Sequence, residues 1–515
     1  MMPNQSTDIL FQLIRSLEKA EKRNFKLFIQ RNSGNKDLKI IELFNAMDKL
    51  VYYDESALLK KLTSIEKPQL SNIKSHLYKQ ILASLRILTS SEGIEFQMNE
   101  QLDHARILYN KGLYHQSLKI LEKLKETAIE YNQHSFLIQV ISFEKKIESL
   151  YITRSFQDRA EILSAEAEKA NDKRATISRL SNLSLQMYSW YIQKGHARNK
   201  EDESEVKKFF YKNLPTNYHL LNGFYERLYI YQSFCWFAYI RQDFLMYYRY
   251  TQKWVDLFQE NKKMIESETM HFVKGMHNLM NALFDIRSHK KFTTTLETFY
   301  IFSKSAEAQI HDNIRIQTFI YLNSARLNHH IISGTFSEGI HLIPEIEKKL
   351  SEYSLYIDKH RILVMNYKIA MIYFGAEDFS KSIDYLQKII NEQIDLRIDL
   401  QCYSRLLHLI AQYEIGNVEL VEYLTKSVYR FMAKMKRFTV IEEEIGKFLR
   451  NSFHSDKKIL RTQFEQLLIK LRPYETKQFE TRTFAYLDVI SWLESKVLQK
   501  PMSFIIKEKY NNSKR

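Results

Sequence analysis

The scarcity of glycine and proline is the sequence feature that most restricts the folds open to this chain. Its 515 residues contain only 11 glycines and 6 prolines, whereas average usage would give roughly 36 and 26. Sheets, hairpins and nucleotide-binding α/β folds need these residues at their turns. A hydrophobic content of 44% supplies material for a core, so the composition is not that of a disordered chain. We therefore predict an all-α protein with long helices and short polar connections.

A recurring local pattern predicts that these helices form stacked hairpins. A small residue and an aromatic one precede a short polar turn, and an aromatic, a small and a large apolar residue follow it. The clearest copies are Ala370, Tyr373, Phe379, Ser382 and Leu386, and Ala105, Gly112, Tyr114, Ser117 and Leu121. The first positions after the turns are 114, 156, roughly 197, 244, 292, 336, 379 and 418, a period of about 43 residues. One hairpin cannot bury its apolar face alone, so neighbours must stack into an α-solenoid.

The two clearest copies resemble the tetratricopeptide repeat, because their small and aromatic residues match that family's consensus positions. The resemblance covers roughly residues 97–430. The period is about two helical turns longer than the usual one in that family, and the helix-ending proline is missing from these copies. Longer-period relatives include the solenoids of peptide-sensing regulators. The resemblance implies an interaction scaffold that holds a peptide or helical segment of a partner protein in its concave groove.

The chain divides into three predicted segments. Residues 1–95 form an N-terminal helical cap, residues 96–430 the repeat array, and residues 431–515 a C-terminal helical module with a frayed tail. Most of the net charge of +15 falls in that last segment. A basic end on a nearly neutral body predicts a local electrostatic contact.

In tetratricopeptide-like arrays the first helix of each hairpin lines the concave surface. Transferring that register places the residues at positions 109, 151, 239, 287, 331, 374 and 413 in equivalent sites, and four of the seven are tyrosines. Tyrosine suits recognition because it offers a large contact area and a hydroxyl group. With their neighbours, the candidates for the partner groove are Arg106, Tyr109, Tyr151, Trp236, Tyr239, Asn328, Tyr367, Phe374 and Tyr413. The alternative is a register shifted by one residue, which would turn these side chains into the core.

The basic segment leaves a second function open, that of a nucleic-acid-associated regulator with a ligand-sensing solenoid. Its candidates for phosphate contacts are Lys434, Lys436, Arg437, Lys457, Lys458 and Arg461. Such contacts would weaken steeply with added salt. A solvated helix face is the alternative interpretation of the same residues.

Motifs that would indicate catalysis are missing from the sequence. It has no glycine-rich phosphate-binding loop and no H-E-x-x-H motif. Two cysteines, Cys235 and Cys402, cannot build a disulfide framework and fit a reducing compartment. The N-terminal residues lack the apolar stretch of a signal peptide, and the densest apolar run, 234–240, is too short to span a bilayer. We expect a cytoplasmic, non-enzymatic protein without a cofactor, a metal or membrane insertion, and its oligomeric state stays open.

Overall fold

Helices account for all the regular structure in the residues that the computed structural model describes. These residues are 8–32, 38–62, 64–89, 93–151, 158–354, 356–392, 398–435, 440–452, 457–477, 479–480, 484 and 486–513, and they contain no strand. The predicted all-α class is therefore confirmed. None of the helices in these ranges is long and apolar enough to cross a membrane. The contacts divide the chain into two compact units, residues 1–166 and 167–515.

The smaller unit begins with five helices around one core and continues with three that share another. Asp8 caps the first helix by accepting a hydrogen bond from the backbone N–H of Phe11 at 2.9 Å. The helices of this unit are α1 (Ile9–Ser16), α2 (Lys19–Asn32), α3 (Leu38–Asp48), α4 (Glu55–Lys61), α5 (Lys67–Thr89), α6 (Ile94–Asn110), α7 (Tyr114–Glu130) and α8 (His134–Tyr151). Helix α9 (Arg159–Lys194) crosses the boundary at residue 166.

The larger unit continues from α9 as a succession of antiparallel helical pairs. Its further helices are α10 (Lys200–Asn213), α11 (Phe224–Ile240), α12 (Phe244–Glu260), α13 (Lys263–Ser267), α14 (Thr269–Asp285), α15 (His289–Phe302), α16 (Ala306–Gln309), α17 (Asp312–Ser333), α18 (Phe336–Ile340), α19 (Ile343–Glu352), α20 (Lys359–Gly375), α21 (Phe379–Ile390), α22 (Ile398–Ile415), α23 (Val418–Lys434), α24 (Val440–Asn451), α25 (Lys457–Leu471), α26 (Val489–Leu498) and α27 (Met502–Ser513). Helices α14, α17 and α20 pack in that order, and each also packs on the helix or helices that follow it. Helix α12 packs on both α11 and α14. The amide nitrogen of Gln232, on α11, lies 3.0 Å from Nδ1 of His271, on α14. This packing is consistent with a helical-repeat array.

One turn geometry joins the two helices of many hairpins. A residue in the left-handed region lies two positions before the second helix, at Gly112, Gln242, Arg287, Gly334, Glu377 and Gly416. The next N–H donates to a carbonyl five residues earlier, as from Asp243 to Ala238 at 3.0 Å and from Asp378 to Tyr373 at 3.0 Å. This is the Schellman arrangement, which satisfies the last carbonyls of a helix. It places the predicted aromatic residues at the start of α7, α12, α18 and α21, while the predicted turn at position 156 lies outside the described residues.

The small residues of the sequence pattern make an equivalent contact in two distant hairpins. The Ser117 hydroxyl donates to the carbonyl oxygen of Ala105 at 2.8 Å, and the Ser382 hydroxyl donates to that of Ala370 at 2.9 Å. Both serines are buried. The small side chains allow the helices to approach closely enough for this bond. The uniform period of about 43 residues stays a prediction.

The last part of the chain packs back onto the array. The Tyr367 hydroxyl on α20 donates to the carbonyl oxygen of Tyr486 at 2.9 Å. The indole N–H of Trp492, on α26, donates to a carboxylate oxygen of Glu414, on α22, at 2.6 Å. Helix α27 lies against the end of α17, where a Cβ added to Gly334 would lie 2.5 Å from the Ser503 carbonyl oxygen. The C-terminal helices therefore belong to the folded body of the larger unit.

Candidate binding cavity

A cavity of about 280 Å³ lies inside the larger unit. Its walls come from α9, α11, α12, α14, α17, α20 and α22, and Tyr486 completes them. The first helices of successive hairpins therefore contribute side chains to one shared space. Tyrosine and tryptophan form much of the lining, with three asparagines, three cationic side chains and one aspartate among them.

Four of the nine predicted groove residues line this cavity: Trp236, Tyr239, Asn328 and Tyr367. Trp236 packs against Tyr188, with ring centroids 4.6 Å apart. Tyr239 packs against the buried Tyr247 at 4.9 Å. The positions come from three different helices, which the sequence register placed on a common surface. Ile331, from the same register, also lines the cavity.

The remaining groove candidates lie elsewhere. Arg106 and Tyr109 belong to the smaller unit, where Arg106 is exposed beside Asp103 and Tyr109 packs on Phe143 at 5.4 Å. The side chain of Tyr151 lies outside the described residues. Phe374 is only 2% exposed and sits in the main core of the larger unit.

Tyr413 and Arg287 contact the C-terminal part of the chain. The Tyr413 hydroxyl accepts a hydrogen bond from Ser452 at 3.2 Å, and its ring packs near Phe448. Arg287 lies 3.7 Å from a carboxylate oxygen of Asp488. At this end of the array, the C-terminal helices cover the face that the register assigned to a partner.

Three asparagines give the cavity its hydrogen-bonding groups. Asn278 accepts a hydrogen bond from the Tyr247 hydroxyl at 3.0 Å. The amide nitrogen of Asn281 lies 3.1 Å from Nε2 of His277. Asn328 is only 5% exposed, and its side-chain amide makes no hydrogen bond to any residue in the described ranges. The residue lines the open space of the cavity, so its amide can donate to and accept from a molecule bound there.

Cationic side chains from two helices line the same cavity: Lys274 on α14, and Arg361 and Lys368 on α20. Burial lowers the pKa of Lys274, and the positive charge of Arg361 lowers it further. Burial also lowers the pKa of Lys368 to about 7, although the negative charge of Asp285 acts in the opposite direction. Lys368 donates to the hydroxyl and to the carbonyl oxygen of Ser324.

His277 lies among these cations and stacks on Tyr321, with ring centroids 4.0 Å apart. Burial lowers the pKa of His277 to about 3, and Lys368, Arg361 and Lys274 contribute to that lowering. The imidazole is therefore neutral throughout the physiological range. The positive charges of Lys274, Arg361 and Lys368 all act on the imidazole of His277 in the cavity wall.

The sequence analysis missed these charged residues because lysine and arginine usually lie at the surface. A signal was nevertheless present. Lys274, Tyr321 and Lys368 are equally spaced along the chain, and each lies on the first helix of a hairpin facing the cavity.

The candidates for phosphate contacts lie away from the cavity. Lys434, Lys458 and Arg461 are exposed on α23 and α25. Lys436 and Arg437 lie outside the described residues, as does the side chain of Lys457. The described part of the C-terminal segment thus presents basic groups to solvent.

Nothing in the described ranges gathers three or more histidine, cysteine, aspartate or glutamate side chains into a possible metal site. Cys235 and Cys402 are both buried. No protein-family model matches the chain, and no curated protein or solved structure is significantly similar to it.

Proposed function

We propose that this protein is a non-enzymatic binding protein, similar to tetratricopeptide-repeat scaffolds, whose cavity holds a peptide segment of a partner. The observation that carries the proposal is Asn328, a buried amide that faces the cavity without a hydrogen-bond partner among the described residues. An asparagine amide both donates and accepts. It therefore matches a peptide backbone, which presents an N–H and a C=O at every residue.

The shape and lining of the cavity support the same proposal. Its volume of about 280 Å³ lies just below the range for ligand pockets, roughly 300–1,000 Å³. That space admits a few side chains of an extended segment. Trp236, Tyr239 and Tyr367 offer rigid aromatic surfaces, the residue types that dominate binding energy at interfaces.

The test is a selection of random displayed peptides on the immobilised full-length protein. The same selection is run on Asn328→Leu, which keeps the number and branching of the side-chain heavy atoms but removes the amide. Asn391→Leu is the matched control, because Asn391 is exposed at the end of α21 and does not line the cavity. Circular dichroism checks that both variants keep their helicity.

We expect peptides that bind the wild-type protein and Asn391→Leu but bind Asn328→Leu at least tenfold more weakly, since a lost buried hydrogen-bond pair costs about 1–3 kcal/mol. Equal binding of the peptides to all three proteins would show that Asn328 and the cavity are not where the peptides bind. A selection that enriches no peptide would overturn the peptide-binding function.

A nucleic-acid-associated regulator is the alternative proposal, supported by the exposed Lys434, Lys458 and Arg461. It predicts retention on heparin or nucleic acid at low salt, with an affinity that falls steeply as salt is added. Absence of any retention at low salt would dismiss it.

A further inference from the structure

The positive side chains of the cavity have few negative partners. Arg361 forms an ion pair with Asp358, with Nε and Oδ2 3.3 Å apart. In contrast, no carboxylate of the described residues lies within ion-pairing distance of the amino group of Lys274 or Lys368. The lining as a whole contains three cations and one acid, Asp285.

The two lysines are held by weaker groups instead. Lys274 lies over the ring of Tyr188, with its amino nitrogen 5.1 Å from the ring centroid. Lys368 bonds to the neutral hydroxyl and carbonyl groups of Ser324. These dipoles and the ring do not neutralise the charges. Placing a cation away from water without an anionic partner is costly.

A carboxylate in the cavity would remove that imbalance. It would accept charge-assisted hydrogen bonds from the amino and guanidinium groups. Such bonds are strong in a site from which much of the water is excluded. If residues 274 and 368 served only to fill space, methionine or leucine would do so without the cost of removing a charge from water.

We propose that the peptide segment bound in the cavity is acidic, and that one of its carboxylates lies between Lys274, Arg361 and Lys368. This inference rests on the proposed function and adds the chemistry of the ligand to it. The asparagines bind the backbone of the segment. Trp236 and Tyr367 contact its neighbouring side chains.

The experiment measures the retention of defined peptide pools on the immobilised full-length protein. An acidic pool of decapeptides carries Asp or Glu at alternate positions and random residues between them. An amide pool carries Asn or Gln at the same positions. Each pool is made with a free C-terminal carboxylate and with a C-terminal amide, so that side-chain and terminal carboxylates are distinguished.

The variant is the double substitution Lys274→Met and Lys368→Met, which keeps both side chains unbranched, shortens each by one atom and removes both charges. The matched control is Lys290→Met with Lys348→Met. It removes the same two charges from exposed positions on α15 and α19 that do not line the cavity.

We expect the acidic pool to bind the wild-type protein about tenfold more tightly than the amide pool, or more, as one charge-assisted bond requires. The Lys274/Lys368 variant should reduce the affinity for the acidic pool to that for the amide pool, and the control should leave it unchanged. Retention that requires a free C-terminus in both the acidic and the amide pool would identify the terminal carboxylate as the bound group and would equally support the inference.

The outcomes separate the two proposals. Equal retention of all four pools, with free and with amidated C-termini, would overturn the acidic ligand and leave the peptide-binding function standing. Equal losses in the variant and in the control would attribute retention to surface charge and would overturn the inference too. Retention of no pool would overturn the proposed function itself.

Discussion

Replacing Lys368 by methionine should stabilise the larger unit. Lys368 bonds only to neutral groups of Ser324 in the described structure, and burial lowers its pKa from 10.5 to about 7. That lowering corresponds to a cost of about 5 kcal/mol for keeping the charge in the folded state, at 1.36 kcal/mol per pKa unit. Losing the bond to Ser324 offsets about 1 kcal/mol of the gain.

The pH dependence of this effect follows from the direction of the pKa change. Below about pH 7 the lysine is protonated in both states, so the folded state bears the whole cost. As the pH rises from about 7 to 10.5, the folded state releases the proton first and the cost disappears. Wild-type stability therefore rises with pH relative to the variant. We expect Lys368→Met to be more stable by about 4 kcal/mol at pH 6 and by about 1 kcal/mol at pH 9.

Urea unfolding followed by tryptophan fluorescence measures this difference. The four tryptophans all fall within residues 167–515, so the signal reports on the larger unit alone. The exposed Lys348→Met serves as the control and should change the free energy of unfolding by less than about 0.5 kcal/mol at either pH. A Lys368→Met variant no more stable than the wild-type protein at pH 6 would refute the reasoning, and so would a difference that stays the same at pH 9.

Three further predictions follow from the hairpin contacts and the core. Gly334→Ala should lower the free energy of unfolding by about 2 kcal/mol or more, because the backbone has φ +69° and the new Cβ would meet the Ser503 carbonyl. Faster hydrogen exchange in α27 would show that this helix has loosened, and unchanged exchange would contradict the prediction. Ser382→Ala should lower the free energy of unfolding by about 1 kcal/mol, whereas the exposed Ser380→Ala should not, as urea midpoints will show. Burial raises the pKa of the Cys235 thiol, so a disulfide reagent should label it at pH 8 only after denaturation; labelling of the native protein would exclude the buried position.

The helical class and the hairpin turns could be predicted from sequence because both are local properties. The spacing of Ala370, Phe379 and Ser382 follows from how closely two consecutive helices pack, and Ser382 indeed bonds to the Ala370 carbonyl. Part of the predicted groove set, such as Trp236 and Asn328, lines the cavity in the structure, because the hairpins repeat the same face. These inferences need only neighbouring parts of the chain.

The remainder of the site depends on contacts between distant segments. Phe374 lies in the core and Tyr413 packs near Phe448, because helices from the end of the chain pack on the array. No local sequence pattern indicates that packing. Lys274 and Lys368 look like ordinary surface lysines in the sequence. Only the surrounding helices reveal that they line a cavity and have lost much of their water.

The hydrogen bond between Tyr367 and the carbonyl of Tyr486 has a consequence for biosynthesis. A ribosome makes α9, which supplies the first wall of the cavity, long before it makes Tyr486, which supplies the last. Until then the nascent array exposes its tyrosines and its lysines to solvent or to chaperones. The cavity lining is complete only after Tyr486 has been made, so a ligand would meet an incomplete binding site before that point of translation and the complete one after it.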